Sequence, residues 1–399
     1  MTSRDPAPFA GIPLYDHHAH SLRRVQPDTP EAFRAHFTES DSEDVVARHV
    51  VWSLFYRRAL ADLGEFFGCA ATEQAVLEAR ARRPFPGLTR EMFADAGIGA
   101  ILIDPGFRAA DHYDLAALRE LLPCPAGELL RLEVLAERLI PAADGWHDLR
   151  ERFAAEVRAA IPRLRGLKTI IAYRTGLDLR TPAGETGGWD AASLAGAFRE
   201  AHDAAGRGRT RLASKPLLDA LLWTALEIAA ERGLPVQVHT GFGDRDLDLR
   251  LANPLWLRPV FEHPPFRPIT FVLLHTYPYV REAAWLTHVY PNVAMDLSLT
   301  VPFAAHGAGD MIVEALGLAP ASKVLLATDA FSIPDLFWLA GRHAREALDA
   351  ALTAIRSRGY ARGDDGDAIA RRLLWENAVA IYGDLRRSPG GPSGRGTRA

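Results

Sequence analysis

Cysteine is scarce in this 399-residue sequence, which holds only Cys69 and Cys124. Two thiols without zinc-site spacing exclude a disulfide framework and a thiolate metal site, and both are expected to be buried or idle in a reducing compartment. Neither sign of charge is in large excess: the formal net charge is −4, which gives no basis for a nucleic-acid or anionic-membrane partner. No apolar run reaches the length of a membrane span. Met1 to Phe9 lacks the basic-then-apolar order of a secretory signal, so the cytoplasm is the expected location. Lysine is nearly absent, since Lys168, Lys215 and Lys323 are the three lysines among 46 basic residues. Arginine has replaced it almost everywhere, so a surviving lysine is expected either where arginine would not serve or by chance. Also missing is a glycine-rich phosphate turn after the first candidate strand, which argues against a doubly wound nucleotide-binding sheet.

What the sequence does have is apolar content, at 48%, arranged in short runs separated by helical patterns. The candidate strands are Ile12–Asp16, Ile98–Asp104, Leu129–Val134, Leu167–Tyr173, Pro235–His239, Thr270–His275, Val293–Leu297 and Val324–Thr328. Eight such units predict an α/β fold, a TIM-like (β/α)8 barrel, over about residues 1–385. Residues 22–95 form a helical insertion after the first strand, placed to shape a pocket over the C-terminal face or to serve as a packing surface. A second insertion, Asp178–Arg211, contains the flexible-looking stretch Thr181–Trp189. Leu212–Arg232 reads as a helix stopped by Gly233. The tail, residues 386–399, is expected to be disordered.

The chemistry sits at the strand ends. Tyr15-Asp16-His17-His18-Ala19-His20 closes the first strand, and alternate residues of a strand share a face, so His18 and His20 point together. His239, His275 and Asp329 each close a later apolar run. One histidine after a strand is ordinarily a hydrogen-bonded structural residue. Several polar groups, each ending a different barrel strand, converge on one face and offer the imidazole and carboxylate donors that divalent metals prefer. Arg131 and Glu133 are expected on alternate positions of the third strand, and Tyr173 and Arg174 at the end of the fourth. Buried charges there must be paired or used; either arginine could clamp a substrate carboxylate, while a bracing ion pair explains them equally well. Asp244, beside Gly241 and Gly243, reads as a loop cap or a substrate contact.

His18-x-His20, His239, His275 and Asp329, in this order and strand context, resemble the amidohydrolase superfamily. Lys168–Arg174, Gln237–Asp244 and His275–Pro278 are similar to its amidohydrolase-2 group, in particular to FluG/nodulin-type amidohydrolase domains, and Asn377–Gly383 is similar to the group's closing helix. Fused members carry a glutamine-synthetase-like domain, and none is expected in this chain. The resemblance implies a metal-dependent amidohydrolase cleaving a C–N bond of a small molecule. His18, His20, Lys168, His239, His275 and Asp329 would be its metal ligands, and Asp329 and His275 its catalytic residues. Arg131, Glu133, Tyr173, Arg174, Asp244 and Tyr277 are the expected substrate contacts. In two-metal members the fourth-strand lysine is carboxylated and bridges the ions, chemistry that arginine cannot perform. The metal is expected to be zinc, with Mn, Fe or Ni also suited to the donors, as one or two ions. Non-oxidative decarboxylation is the first rival activity, a non-catalytic metal-binding scaffold the second, and a homo-oligomer is allowed.

Overall fold

The computed structural model describes residues 7–106, 111–180, 188–209 and 211–386. Residues 181–187 of the flexible-looking stretch and the tail from 387 lie outside the described residues.

Eight parallel strands follow one another in sheet order: β1 (Leu14–Ala19), β2 (Ile98–Ile103), β3 (Ala126–Arg131), β4 (Leu164–Thr169), β5 (Val236–Thr240), β6 (Phe271–His275), β7 (Val293–Asp296) and β8 (Val324–Leu325). Each neighbouring pair from β1 to β8 is parallel, and helices such as Trp146–Ala160, Lys215–Arg232 and Pro334–Ser357 intervene. This is a (β/α)8 fold. No helix among the described residues is long and apolar enough to cross a membrane.

Alternation along the strands builds two apolar layers. Tyr15, Ala100, Leu102, Leu129, Val272, Leu274 and Leu325 fill the barrel interior, closed by Tyr382 from the helix Asn377–Tyr382. The opposite set, including Phe271, Leu273 and Leu167, packs against the surrounding helices. The eighth strand is regular for only two residues, yet the chain beyond it meets β1. Asp16 accepts from the Thr328 amide (2.8 Å) and hydroxyl (2.6 Å). The Asp329 amide donates to the His18 carbonyl at 3.0 Å, and the His20 amide to that of Ala330 at 2.9 Å.

Two strand boundaries differ from the sequence reading. The third strand ends at Arg131, because Leu132, Leu135 and Ala136 are buried at helical spacing in the helix Leu132–Leu139. Leu130, Leu132 and Val134 also alternate, and that alternation mimics a strand. Glu133 therefore lies in the first turn of a helix rather than on the strand. The fourth strand begins and ends three to four residues earlier than expected, and Ile171–Tyr173 is a single 3-10 turn. Tyr173 and Arg174 thus stand above the strand end, whereas Lys168 is buried within β4.

The expected insertion is present between β1 and β2, as helices Pro30–Arg34, Leu54–Phe67, Glu73–Ala81 and Phe85–Asp95. Helix Lys215–Arg232 stops, as expected, at Gly233 in the left-handed conformation (φ +62°). Gly241, just past β5, has φ +65°, and a Cβ there would lie 2.3 Å from the Tyr277 carbonyl oxygen. The loop after β6 rests directly on this glycine. Gly241→Ala combines a left-handed alanine with a backbone clash, and is expected to cost about 2 kcal/mol or more. Thermal denaturation should show a lowered melting temperature; an unchanged one would contradict this packing.

Candidate metal centre

The C-terminal ends of the strands deliver the polar groups. β1 slips its register against β2 between Asp16 and Ala19, the kind of bulge that re-aims side chains beside a site. His18 and His20 follow from it. Arg131 and Lys168 are in-register neighbours at the ends of β3 and β4, and Lys168 pairs in turn with Gln237 of β5. In β6, Val272 and Leu274 face inward, so simple alternation would turn His275 away; its φ of +67° reverses that. Asp329 is also left-handed, at φ +51°. Such backbone conformations cost of order 1–3 kcal/mol in non-glycine residues and persist where surrounding contacts impose them. Here the bonds of the Asp329 amide to His18 and of the His275 amide to Asp296 (2.8 Å) impose them.

His18, His20 and Asp329 form a buried group whose ligand atoms lie within 4.8 Å of one another. Nε2 of His18 and Nε2 of His20 stand 3.1 and 3.2 Å from the same oxygen, Asp329 Oδ1. That oxygen is buried and accepts no hydrogen bond among the described residues. The tautomer of His20 follows from its other nitrogen: Nδ1 lies 3.1 Å from the Asp104 carbonyl oxygen. A carbonyl can only accept, so Nδ1 carries the proton, and the neutral tautomer then aims the Nε2 lone pair at the carboxylate oxygen. An imidazole lone pair and a carboxylate oxygen directed at one point are donors that a shared cation would accept. Burial holds His18 down to about 3 and draws His239 and His275 below the usual imidazole range. All three are therefore neutral donors near pH 7. The donor set fits a divalent cation.

The remaining candidates divide. His275 approaches Asp329 Oδ2 with Nδ1 at 3.5 Å and meets Ser298 Oγ at 3.0 Å. His239 packs its ring 4.4 Å from those of His275 and Tyr173. Its Nε2, however, lies 3.1 Å from the Phe242 carbonyl, outside the compact group. Lys168 is buried, with Nζ 3.5 Å from His18 Nε2, and burial lowers its amine to about 8. Arg131, Tyr173, Arg174 and Asp244 line the same cavity of about 380 Å3 as His18, His20, Lys168, His239, His275 and Asp329. Glu133 and Tyr277 do not. Glu133 is buried beneath β4, accepting from Thr169 Oγ1 (2.5 Å) and the Ile170 amide (3.0 Å). This is a bracing role forced by its helical position. Tyr277 is 47% exposed, because the turn after β6 points it outward.

Several site groups escaped the sequence reading. Asp296, ending β7, accepts from the His275 amide and from Ser298 Oγ (2.9 Å), and lies 3.0 Å from His17 Nε2. Its signal was the one used for the others, a polar residue closing an apolar strand. Ala35, Thr38, Glu39, Ser40 and Asp41 of the insertion form a wall of the cavity, which settles the position of that segment over the site. No periodicity announces them.

Arg131 is held by Asp104, whose Oδ2 accepts from Nε (2.8 Å) and Nη2 (2.6 Å). Burial works against the Asp104 carboxylate, but Arg131 outweighs it and holds the group well below the usual range. A carboxyl depressed by folding contributes stability above its ordinary pKa and loses it as acid approaches the lowered value. Arg131→Met would strand a buried carboxylate, at an expected cost of about 3–5 kcal/mol near neutrality. The sign then reverses: with Asp104 raised instead of depressed, the variant should regain stability as pH falls from 7 toward 5, unlike the native chain. Urea unfolding at several pH values reads both slopes; parallel slopes would refute the brace.

A family model for amidohydrolases matches residues 148–383. The chain is 28% identical over 412 residues to protein fluG of Emericella nidulans, with 94% of this chain and 46% of that one aligned. It therefore spans about half the length of that curated relative. A crystal structure from Lactobacillus casei ATCC 334 shares 29% identity and a TM-score of 0.83, covering 96% of this chain and 99% of that one. That protein bears a provisional assignment as a metal-dependent hydrolase. The uronate isomerase of Thermotoga maritima shares the fold at a TM-score of 0.62 and 10% identity, with 94% and 95% covered.

Proposed function

Because the chain belongs to the amidohydrolase family, we propose that it is a metal-dependent hydrolase cleaving a C–N, amide-type bond of a small molecule. The observation that carries this reading is the pair of imidazole nitrogens converging on one unbonded oxygen of Asp329. His18, His20 and Asp329 would hold the first ion, with zinc as the expected metal. His239 and His275 would complete it or hold a second ion. Lys168, a buried amine beside His18, is the group that CO2 carboxylation would convert into a bridging ligand. Bound there, a divalent cation supplies a water of lowered pKa and polarises the carbonyl to be attacked.

The protein's own residues do the rest. Asp329 Oδ2, on the side of His275, receives the proton of the attacking water and returns it to the departing nitrogen. His275, fixed by Ser298 and by the bond from its amide to Asp296, would hold an ion or orient the tetrahedral intermediate through its oxygen. The walls contributed by residues 35–41 limit solvent around the reacting atoms. A cavity of about 380 Å3 is of the size that takes a small-molecule substrate. Two free cysteines suit a cytoplasmic setting.

Elemental analysis of the purified protein should find at least one transition-metal ion per chain, and a double replacement of His18 and His20 by Ala should abolish it. Asp329→Asn should remove turnover by 10³-fold or more while leaving the fold intact by circular dichroism. Metal-free native protein, or an Asp329→Asn variant that still hydrolyses an amide panel, would end this assignment.

A further inference from the structure

Four arginines line the cavity, and their donors are used unequally. Arg131 places two nitrogens on Asp104. Arg211 pairs with Asp246 at 2.9 Å and donates to the Tyr173 carbonyl at 3.0 Å. Arg245, on the rim, pairs with Asp41 at 3.3 Å. Arg174 differs. Its side chain is only 8% exposed, and among the described residues its one ion pair joins Nη2 to Glu137 Oε1 at 3.1 Å. That same oxygen already accepts the Leu212 amide at 2.8 Å. Nε and Nη1 of Arg174 are buried and bond to nothing among the described residues. A buried donor without an acceptor costs about 1–3 kcal/mol, and more when charged. A cavity wall that keeps two of them is incomplete without an acceptor brought from outside.

We infer that Arg174 is the specificity-determining residue of the cavity and that the substrate carries a carboxylate group which it receives. The inference rests on reading this cavity as the active site. It goes further by fixing a second functional group on the molecule whose amide is cleaved. The chemistry selects a carboxylate over a neutral carbonyl because the guanidinium charge is under-compensated. Burial, with Arg211 and Arg131 nearby, draws Arg174 below the usual arginine range despite Glu137. Arg131, which burial also opposes, is raised because Asp104 outweighs it. A single negative charge meets that deficit. A dianion such as phosphate would need a second uncommitted cation, and the other arginines are engaged. Glu39, Asp41, Asp244 and Asp246 around the mouth oppose it further. Guanidinium and carboxylate are both planar, and charge-assisted bonds between them are roughly twice as strong as neutral ones.

Matched pairs of probes test this: N-acetylglycine against N-acetylglycinamide, and N-acetylglutamate against its diamide. Binding is measured by calorimetry on the metal-loaded native protein and on the Arg174→Met and Arg174→Lys variants, with inorganic phosphate as a separate arm. At least one acid should bind the native protein tenfold or more tighter than its amide. Arg174→Met should erase that gap, and Arg174→Lys should keep part of it. Equal binding of every acid and amide, a gap that survives Arg174→Met, or phosphate binding tighter than both acids would overturn the inference. Metal content and the melting temperature without ligand are recorded for each sample. If Arg174→Met fails to fold, a gap undiminished in Arg174→Lys counts against the inference, and a reduced one for it. Native protein that shows the gap but holds no metal would refute the hydrolase reading and uphold this one. Metal-loaded protein without the gap would do the reverse.

Discussion

The amide of Asp329 donates to the carbonyl of His18 across 3.0 Å, with the His20 amide bonded to Ala330 just above and Asp16 bonded to Thr328 just below. These contacts join the last strand to the first where β8 itself is regular for only two residues. They also fix the left-handed turn that swings the Asp329 carboxylate over the barrel axis, onto the two imidazoles of β1. Closure of the barrel and convergence of the donors are thus one event. Neither the grouping of His18, His20 and Asp329 nor the cavity above it would exist in an open sheet of the same eight strands.

Electrostatics then decides which buried charges are braces and which remain available. Asp104 and Arg131 satisfy each other, and Asp104 in addition orients His20 through its carbonyl. Glu133 anchors the chain leaving β4, and Asp296 anchors His275. Three groups on the cavity side stand apart from these braces: the Asp329 oxygen on which two imidazole nitrogens converge, the buried Lys168 amine, and Arg174 with two unpartnered donors. Each faces the cavity, where groups from outside the chain can complete them.

Much of this was legible in the sequence, because a barrel writes its active face as polar residues terminating apolar strands. His18, His20, His239, His275 and Asp329 all carry that mark, and all line one cavity. Asp296 carries it too and passed unnoticed among residues taken for a buried strand. The boundaries of β3 and β4 were harder for a different reason. Leu130, Leu132 and Val134 satisfy a period of two while Leu132, Leu135 and Ala136 satisfy helical spacing, and only packing against neighbouring helices decides between them. Glu133 was misplaced on that account. The wall at residues 35–41 was illegible at residue level, since a polar segment between short helices has no period to read. Tyr277, which the resemblance puts among the substrate contacts, is turned outward by the backbone, a matter of φ rather than of residue type.

The contact between Asp16 and Thr328 spans 312 positions of the chain, and this has a bearing on biogenesis. In a nascent chain the two β1 histidines emerge long before the Asp329 carboxylate, so a barrel still lacking β8 cannot assemble the His18–His20–Asp329 group. A cation captured by the His18–His20–Asp329 group would therefore act as a late seal, favouring the closed form by mass action over any intermediate with the first and last strands apart. Cellular metal supply would then set the yield of folded protein as well as its activity.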